Sequence, residues 1–207
     1  SGGVLRRQQA LSSGRRLSCP PKPFRMFRPL AVFLFKILGW KVIDHRPPGL
    51  RQCIYVVAPH TSNWDFPLGL MARSYGRLEN ARYMAKAELF KPPFGWIFKV
   101  TGGVPVDRGK SAHIVDQMAA YFRNDPDFAI GIAPEGTRKY VAKWKTGFWH
   151  IARKAEVPLI LTSFDYGRKE VIFREPYMVG DDVEKEMAWI QEYFTQFKGK
   201  NERPTAP

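Results

Sequence analysis

Apolar runs of four to six residues alternate along the chain with stretches of helical period. The runs predict strands at 54–58, 82–85, 104–107, 128–133, 159–164 and 171–173. Between them, apolar residues at helical spacing predict helices over 64–75, 93–100, 111–124, 146–156 and 182–197. Near-continuous apolar strands are those covered on both faces, so the order predicts an α/β fold with a mixed, mostly parallel β-sheet flanked by helices. In such sheets ligands gather just beyond strand ends, and the loops that follow strands are the first places to search for chemistry.

The stretch 24–40 has a different character. At 100° per residue, Arg25, Arg28 and Lys36 fall within about 80° of one another, while Phe27, Leu30, Phe33, Leu34, Ile37 and Leu38 cover a broad opposite face. That is the layout of a helix lying in a membrane interface with its cations at the headgroups, and equally of a first helix packed on a core. Pro29 suits a first turn and not a helix interior, so the regular helix is expected to begin there. Residues 1–23, rich in Ser, Gly, Arg and Pro, read as a flexible basic arm, 24–198 as the folded unit, and 199–207 as a flexible tail. No stretch reaches the ~18–20 uninterrupted apolar residues of a spanning helix.

Composition sharpens this picture through charge. The 207 residues carry a formal net charge of +14. No acidic residue precedes Asp44, whereas nine Lys and Arg side chains do. An anionic partner is implied, either a membrane surface or a nucleic acid. No recognised nucleic-acid motif appears, and the body's cations fall at strand ends instead of along one face, which argues against nucleic acid. Cys19 and Cys53 form neither a disulfide framework nor a metal-ligand spacing, and Cys53, inside an apolar run, reads as a buried inert thiol of a reducing compartment. No His, Cys or carboxylate cluster has metal spacing, and no metal is expected.

Three strand-end loops carry candidate chemistry. In Pro59-His60-Thr61-Ser62-Asn63-Trp64-Asp65, His60 follows a strand directly, and Thr61, Ser62 or Asn63 is placed to cap the next helix. His60 and Asp65 would diverge by about 140° on a regular helix, so they meet only across a strand-to-helix corner. A carboxylate on one imidazole nitrogen fixes the tautomer and leaves the other nitrogen to accept a proton from a hydroxyl. The second loop is Gly102-Gly103-Val104-Pro105-Val106-Asp107-Arg108, and the third is Ala133-Pro134-Glu135-Gly136-Thr137-Arg138. Glycine lets backbone approach a ligand, and Arg is the forked donor that grips phosphate, so the set suits a phosphorylated alcohol. His45, His113 and His150 have no motif around them and default to structural roles.

Four blocks in order resemble the glycerophospholipid (lysophospholipid, 1-acylglycerol-3-phosphate) acyltransferase family: His60 to Asp65, the Gly-Gly-x-x-x-Asp-Arg block, the Pro-Glu-Gly-Thr-Arg block, and Val157-Pro158-Leu159-Ile160. The resemblance spans about 54–177. It departs from the family at Pro59, where many members have Asn, at Lys139-Tyr140, where Ser and a basic loop usually follow, and at Trp144, where Phe is common. It implies His60 as general base and Asp65 as its orienting partner. It further implies Arg108, Glu135, Gly136, Thr137 and Arg138 around the acceptor, with Lys86 and Lys145 at further basic positions, and a basic pocket beside a hydrophobic acyl tunnel.

The reaction so implied is direct transfer of a fatty acyl group from acyl-CoA or an acyl carrier protein to the hydroxyl of a lysophospholipid, with no cofactor besides that co-substrate. The protein is then expected to be peripheral or monotopic on the cytoplasmic face of a membrane. Backbone N–H groups at the corner after His60, or at Gly136, are candidate oxyanion donors. Ser62 as a nucleophile is disfavoured, because it stands only two residues from His60 and no Gly-x-Ser-x-Gly elbow exists. Two rivals remain beside the enzyme, a basic nucleic-acid-binding protein and a catalytically idle lipid-binding member of the same fold. The aromatic stretch 90–98 is either a second membrane contact or a core helix.

Overall fold

The structure, a computed structural model, describes residues 28–106 and 111–201. The expected basic arm, Cys19, Arg25, Phe27, Asp107 and Arg108 lie outside the described residues, as does the tail after Asn201.

Helix α1 (Arg28–Ile37) leads into strands β1 (Lys41–Asp44) and β2 (Cys53–Ala58). Helix α2 (Asp65–Tyr75), strand β3 (Ala81–Lys86), a 3-10 turn (Ala87–Phe90), helix α3 (Gly95–Val100) and strand β4 (Gly103–Val106) follow. The second half comprises α4 (Ser111–Asn124), β5 (Ala129–Ile132), α5 (Gly147–Ala155), β6 (Leu159–Asp165), β7 (Glu170–Phe173) and α6 (Val183–Thr195). The seven strands form one sheet in the order β1-β7-β6-β2-β5-β3-β4. Among the described residues only the β6–β7 pair of strands is antiparallel; the other five pairings are parallel. The expected α/β class and mostly parallel sheet are therefore what the chain forms.

Burial explains why the central strands are so legible. Every residue of β6 is buried, and five of the six in β2 are. β2 therefore reads as a near-continuous apolar run and β6 opens on one, Leu159–Leu161, before its buried Thr162, Ser163 and Asp165. One core lies between the sheet and α4, α5 and α6, with Ile54, Val56, Ile130 and Leu161 from the strands meeting Met118, Phe148 and Ile190 from the helices. The other face carries Tyr55, Ala129, Ile160 and Phe164 against Phe35 of α1 and Leu68 and Ala72 of α2. Asp182 caps α6 by accepting the Lys185 N–H at 3.0 Å, and Glu184 and Glu186 sit favourably in its first turn.

Several boundaries differ from expectation. The helix expected over 24–40 is described from Arg28 to Ile37, and the chain then turns to form β1, which the sequence reading did not anticipate. β1 is a four-residue edge strand with no fully buried residue, so it carries no apolar run to betray it. Within α1 only Phe35 is buried; Leu30, Phe33, Leu34 and Ile37 stay exposed. Phe94 and Trp96, at the start of α3, are likewise 66% and 62% exposed, so the bland alternative of a core helix does not hold for them. His45, His113 and His150 are all exposed. Cys53 is fully buried, and burial pushes its thiol up to about 12, as suits an inert thiol.

Phe128 is fully buried, with ring centroids 5.5 Å from Tyr121 and 4.9 Å from Phe122. Phe128→Ala removes that packing, and chemical denaturation is expected to show a loss of about 3–5 kcal/mol. A loss below ~1 kcal/mol would mean this end of the core collapses around the gap.

Candidate active site

The strand order places the ends of β2, β5 and β3 side by side, and each parallel strand delivers its following loop to the same edge. His60 comes two residues after β2, Pro134 to Arg138 come directly after β5, and Lys86 ends β3. The loops are tied together. Glu135, buried at 4% exposure, accepts the His60 N–H on Oε2 at 2.9 Å, and Arg138 Nη1 donates to Asn63 Oδ1.

At the β2–α2 corner, His60 Nδ1 stands 2.9 Å from Asp65 Oδ2. That contact leaves Nε2 as the ring nitrogen free of the carboxylate. Asp65 is 3% exposed, and its Oδ2 also accepts the Thr61 and Ser62 N–H groups, each at 2.9 Å. Its other oxygen, Oδ1, accepts the Tyr166 hydroxyl at 2.7 Å. Burial pushes the Asp65 carboxyl up, but the bonds from His60, Tyr166 and the Ser62 N–H outweigh it and hold it below the usual carboxylate range.

The start of α2 differs from expectation. Its N-cap position is Trp64, with no side-chain cap. Ser62 Oγ instead accepts the Trp64 N–H at 3.2 Å, and Asp65 reaches back to the amides before it. The candidate oxyanion amides are also largely engaged, since Thr61 and Ser62 donate to Asp65 and Gly136 donates to the Ala133 carbonyl at 3.2 Å.

Gly136 has φ +68°, and a Cβ there would come within 3.0 Å of Lys145 Cε and 3.1 Å of its Nζ. The position needs glycine both for its backbone and to let the ammonium stem lie against it. Thr137 Oγ1 accepts the Lys139 N–H at 3.3 Å. A cavity of about 1730 Å³ opens at this edge, with His60, Arg138, Lys145 and Lys86 in its lining. Its wall continues between α2 and the sheet along Val57, Leu70, Tyr83 and Phe164. The structure thus brings His60, Asp65, Glu135, Gly136, Thr137, Arg138, Lys86 and Lys145 to one strand-end site, while Arg108 is outside the described residues. Among the described residues no group of three or more His, Cys, Asp or Glu side chains gathers in a way that could hold a metal ion.

Two parts of the site were missed from sequence. Tyr166 stands one residue after β6, whose end abuts that of β2 through the Ala58–Ser163 pairing, so a search of every strand end would have reached it. Asn201 donates from Nδ2 to the Thr61 carbonyl at 2.8 Å and from its N–H to Thr61 Oγ1 at 3.2 Å. No sequence signal marks that contact, because it lies in a stretch expected to be a tail.

An imidazole oriented by a buried carboxylate, beside cations and a long apolar wall, suits an enzyme that activates a hydroxyl next to a chain-like substrate. Comparison gives the class: the sequence profile described as Acyltransferase matches residues 43–163, more than half of the chain, and the chain belongs to that family. It is 29% identical over 148 residues to the 1-acyl-sn-glycerol-3-phosphate acyltransferases of Salmonella typhimurium and Salmonella typhi, an overlap covering 68% of this chain. The chain spans 59% of the length of those relatives. The crystal structure of the 1-acyl-sn-glycerophosphate (LPA) acyltransferase PlsC from Thermotoga maritima shares the fold, with a TM-score of 0.55 and 22% identity over 82% of this chain and 76% of that one.

Because Asp65 titrates below its usual range when folded, the stability it contributes is present above pH ~4, the ordinary carboxylate value, and is lost as pH falls through its folded value. Asp65→Asn is expected to flatten that part of the stability-against-pH curve, measured by denaturant unfolding. Parallel curves for variant and wild type would mean that Asp65 is not held below its usual range.

Proposed function

We propose that the protein transfers a fatty acyl group from a thioester donor to the free hydroxyl of a lysophosphatidate-like acceptor. The observation that carries this reading is the His60–Asp65 pair, 2.9 Å apart, at the mouth of a cavity that is cationic at the strand ends and mostly apolar behind them. The named activity of the Salmonella relatives supports the choice of acceptor.

His60 Nε2 removes the acceptor hydroxyl's proton as its oxygen attacks the thioester carbonyl. The tetrahedral intermediate collapses, the C–S bond breaks, and the proton passes from His60 to the leaving thiolate. No acyl-enzyme and no cofactor beyond the acyl-CoA or acyl carrier protein co-substrate are involved. General-base help of this kind contributes ~100- to 10,000-fold, and positioning supplies much of the remainder. Arg138, Lys145 and Lys86 hold the acceptor phosphate, with Arg108 a further candidate, and the apolar wall takes the acyl chain. Glu135 acts through the corner, by holding the His60 N–H, more than by touching the acceptor. With the amides of Thr61, Ser62 and Gly136 engaged, charge on the tetrahedral oxygen is met by the cationic side chains of the lining.

Among the described residues no helix is long and apolar enough to cross a membrane. Two exposed apolar surfaces nevertheless suit contact with an anionic lipid surface: Leu30, Phe33 and Ile37 on α1, and Phe94 with Trp96 at α3, flanked by Lys91 and Lys99. Such contact lets a lipid acceptor enter without crossing water.

Palmitoyl-CoA and lysophosphatidate incubated with the protein in detergent are expected to give a diacyl product by mass spectrometry, and none with folded His60→Ala. Near-full turnover by that variant would sink the general-base mechanism. No product from the wild type with either CoA or carrier-protein donors, across a panel of lyso-lipids, would support the idle lipid-binding alternative. For the lipid surface, the double variant Phe94→Glu, Trp96→Glu is expected to sediment less with anionic liposomes than the wild type, and equal sedimentation would count against α3 as a contact.

A further inference from the structure

We propose that Tyr166 is a positioning residue for the dyad: held by the C-terminal segment 198–201, its phenol locks the Asp65 carboxylate so that Oδ2 stays on His60 Nδ1. This rests on His60 being the base, as proposed above. Tyr166 and the segment 198–201 both lie beyond the span 43–163 matched by the family profile.

The terminal torsion of an Asp side chain is soft, and a carboxylate anchored through one oxygen alone swings readily about its last bond. Asp65 is anchored through both. Oδ2 takes His60, Thr61 and Ser62, and Oδ1 takes the Tyr166 hydroxyl at 2.7 Å. The phenol serves as a lock only if it is itself fixed and stays protonated. Its ring meets Trp40 edge-on at 5.0 Å, and its backbone N–H donates to the Lys198 carbonyl at 2.9 Å. Burial, and then the Asp65 carboxylate, push its ionisation well above the ordinary tyrosine value, so it remains a donor.

The segment that holds Tyr166 also holds the corner on which His60 sits. Asn201 makes its two bonds to Thr61, and Lys200 Nζ lies 4.5 Å from the centre of the Trp64 ring. A Cβ at Gly199 would come within 2.5 Å of Thr61 Oγ1, so the backbone passes this closely only as glycine. The last described residues therefore strap Tyr166 and Thr61 to each other across the dyad. Titratable groups around this corner include Glu135, on the His60 N–H, Arg138, on Asn63, and Lys200, on Trp64, and beside Tyr166 stand Asp165 and Arg168, paired with each other.

The test is Tyr166→Phe, which keeps the ring and removes the donor. Misaligning the dyad is expected to lower kcat roughly ten- to a hundredfold while leaving the KM for lysophosphatidate unchanged. With the lock gone, Oδ2 spends less time on His60 Nδ1, so the protonated imidazole loses part of its stabilisation and the acidic limb of the kcat/KM profile moves to lower pH. The His60 imidazole midpoint, followed by NMR, moves downward with it. The NMR arm needs no turnover: if the wild type transfers no acyl group, the proposed reaction fails while the positioning role is still decided by the midpoint. A folded Tyr166→Phe protein with wild-type kcat and an unmoved His60 midpoint overturns the proposal. Should that variant not fold, Gly199→Ala displaces the strap from Thr61. It is expected to lower kcat and shift the His60 resonances, and unmoved resonances again overturn the proposal.

Discussion

A carboxylate taken out of water must be surrounded by donors, and Asp65 shows what that demand imposes on a fold. Buried to 3% exposure, it binds a histidine ring, two backbone amides and a phenol. Leaving such a group unsatisfied costs more than an ordinary hydrogen bond gains, so the four donors have to arrive together. Three come from the corner after β2, the imidazole and two amides, but the phenol must come from the end of β6. The parallel pairing of those two strands, Ala58 beside Ser163, is what brings them within reach. The site is in this sense a consequence of sheet register.

The same register explains the division of the cavity. The loop after β5 and the end of β3 put Arg138, Lys145 and Lys86 at one edge, exposed to solvent. Behind that edge the lining comes from the sheet, α2, α4 and α5 and is mostly apolar, with Arg73 and Arg82 among it. The proposed acceptor and donor, with charged heads and long apolar tails, would meet both environments along one path. The exposed apolar residues of α1 and α3 extend the apolar theme to the outside of the molecule.

Legibility in the sequence followed burial. β2 and the first half of β6 announce themselves because both faces are covered, which favours an apolar run. β1 was invisible because it is short, at the edge, and only partly buried. The His60–Asp65 meeting was legible because the helical period rules it out on a regular helix and a strand-to-helix corner allows it. Ser62 and Glu135 were placed in the right loops with incomplete partners, since a loop's residue types show what bonds it can make and not which atoms it will find.

By itself, then, the sequence determined what depends on neighbours along the chain: the alternation of strands and helices, the strand-end loops, the basic charge and the residue types available for chemistry. Only the tertiary structure decided which of these groups share a hydrogen bond. Glu135 reaches His60 across 75 positions, Tyr166 reaches Asp65 across 101, and Asn201 reaches Thr61 across 140. Periodicity carries information over a few turns of chain, whereas these partners are chosen by strand order and by the need of buried polar atoms for satisfaction.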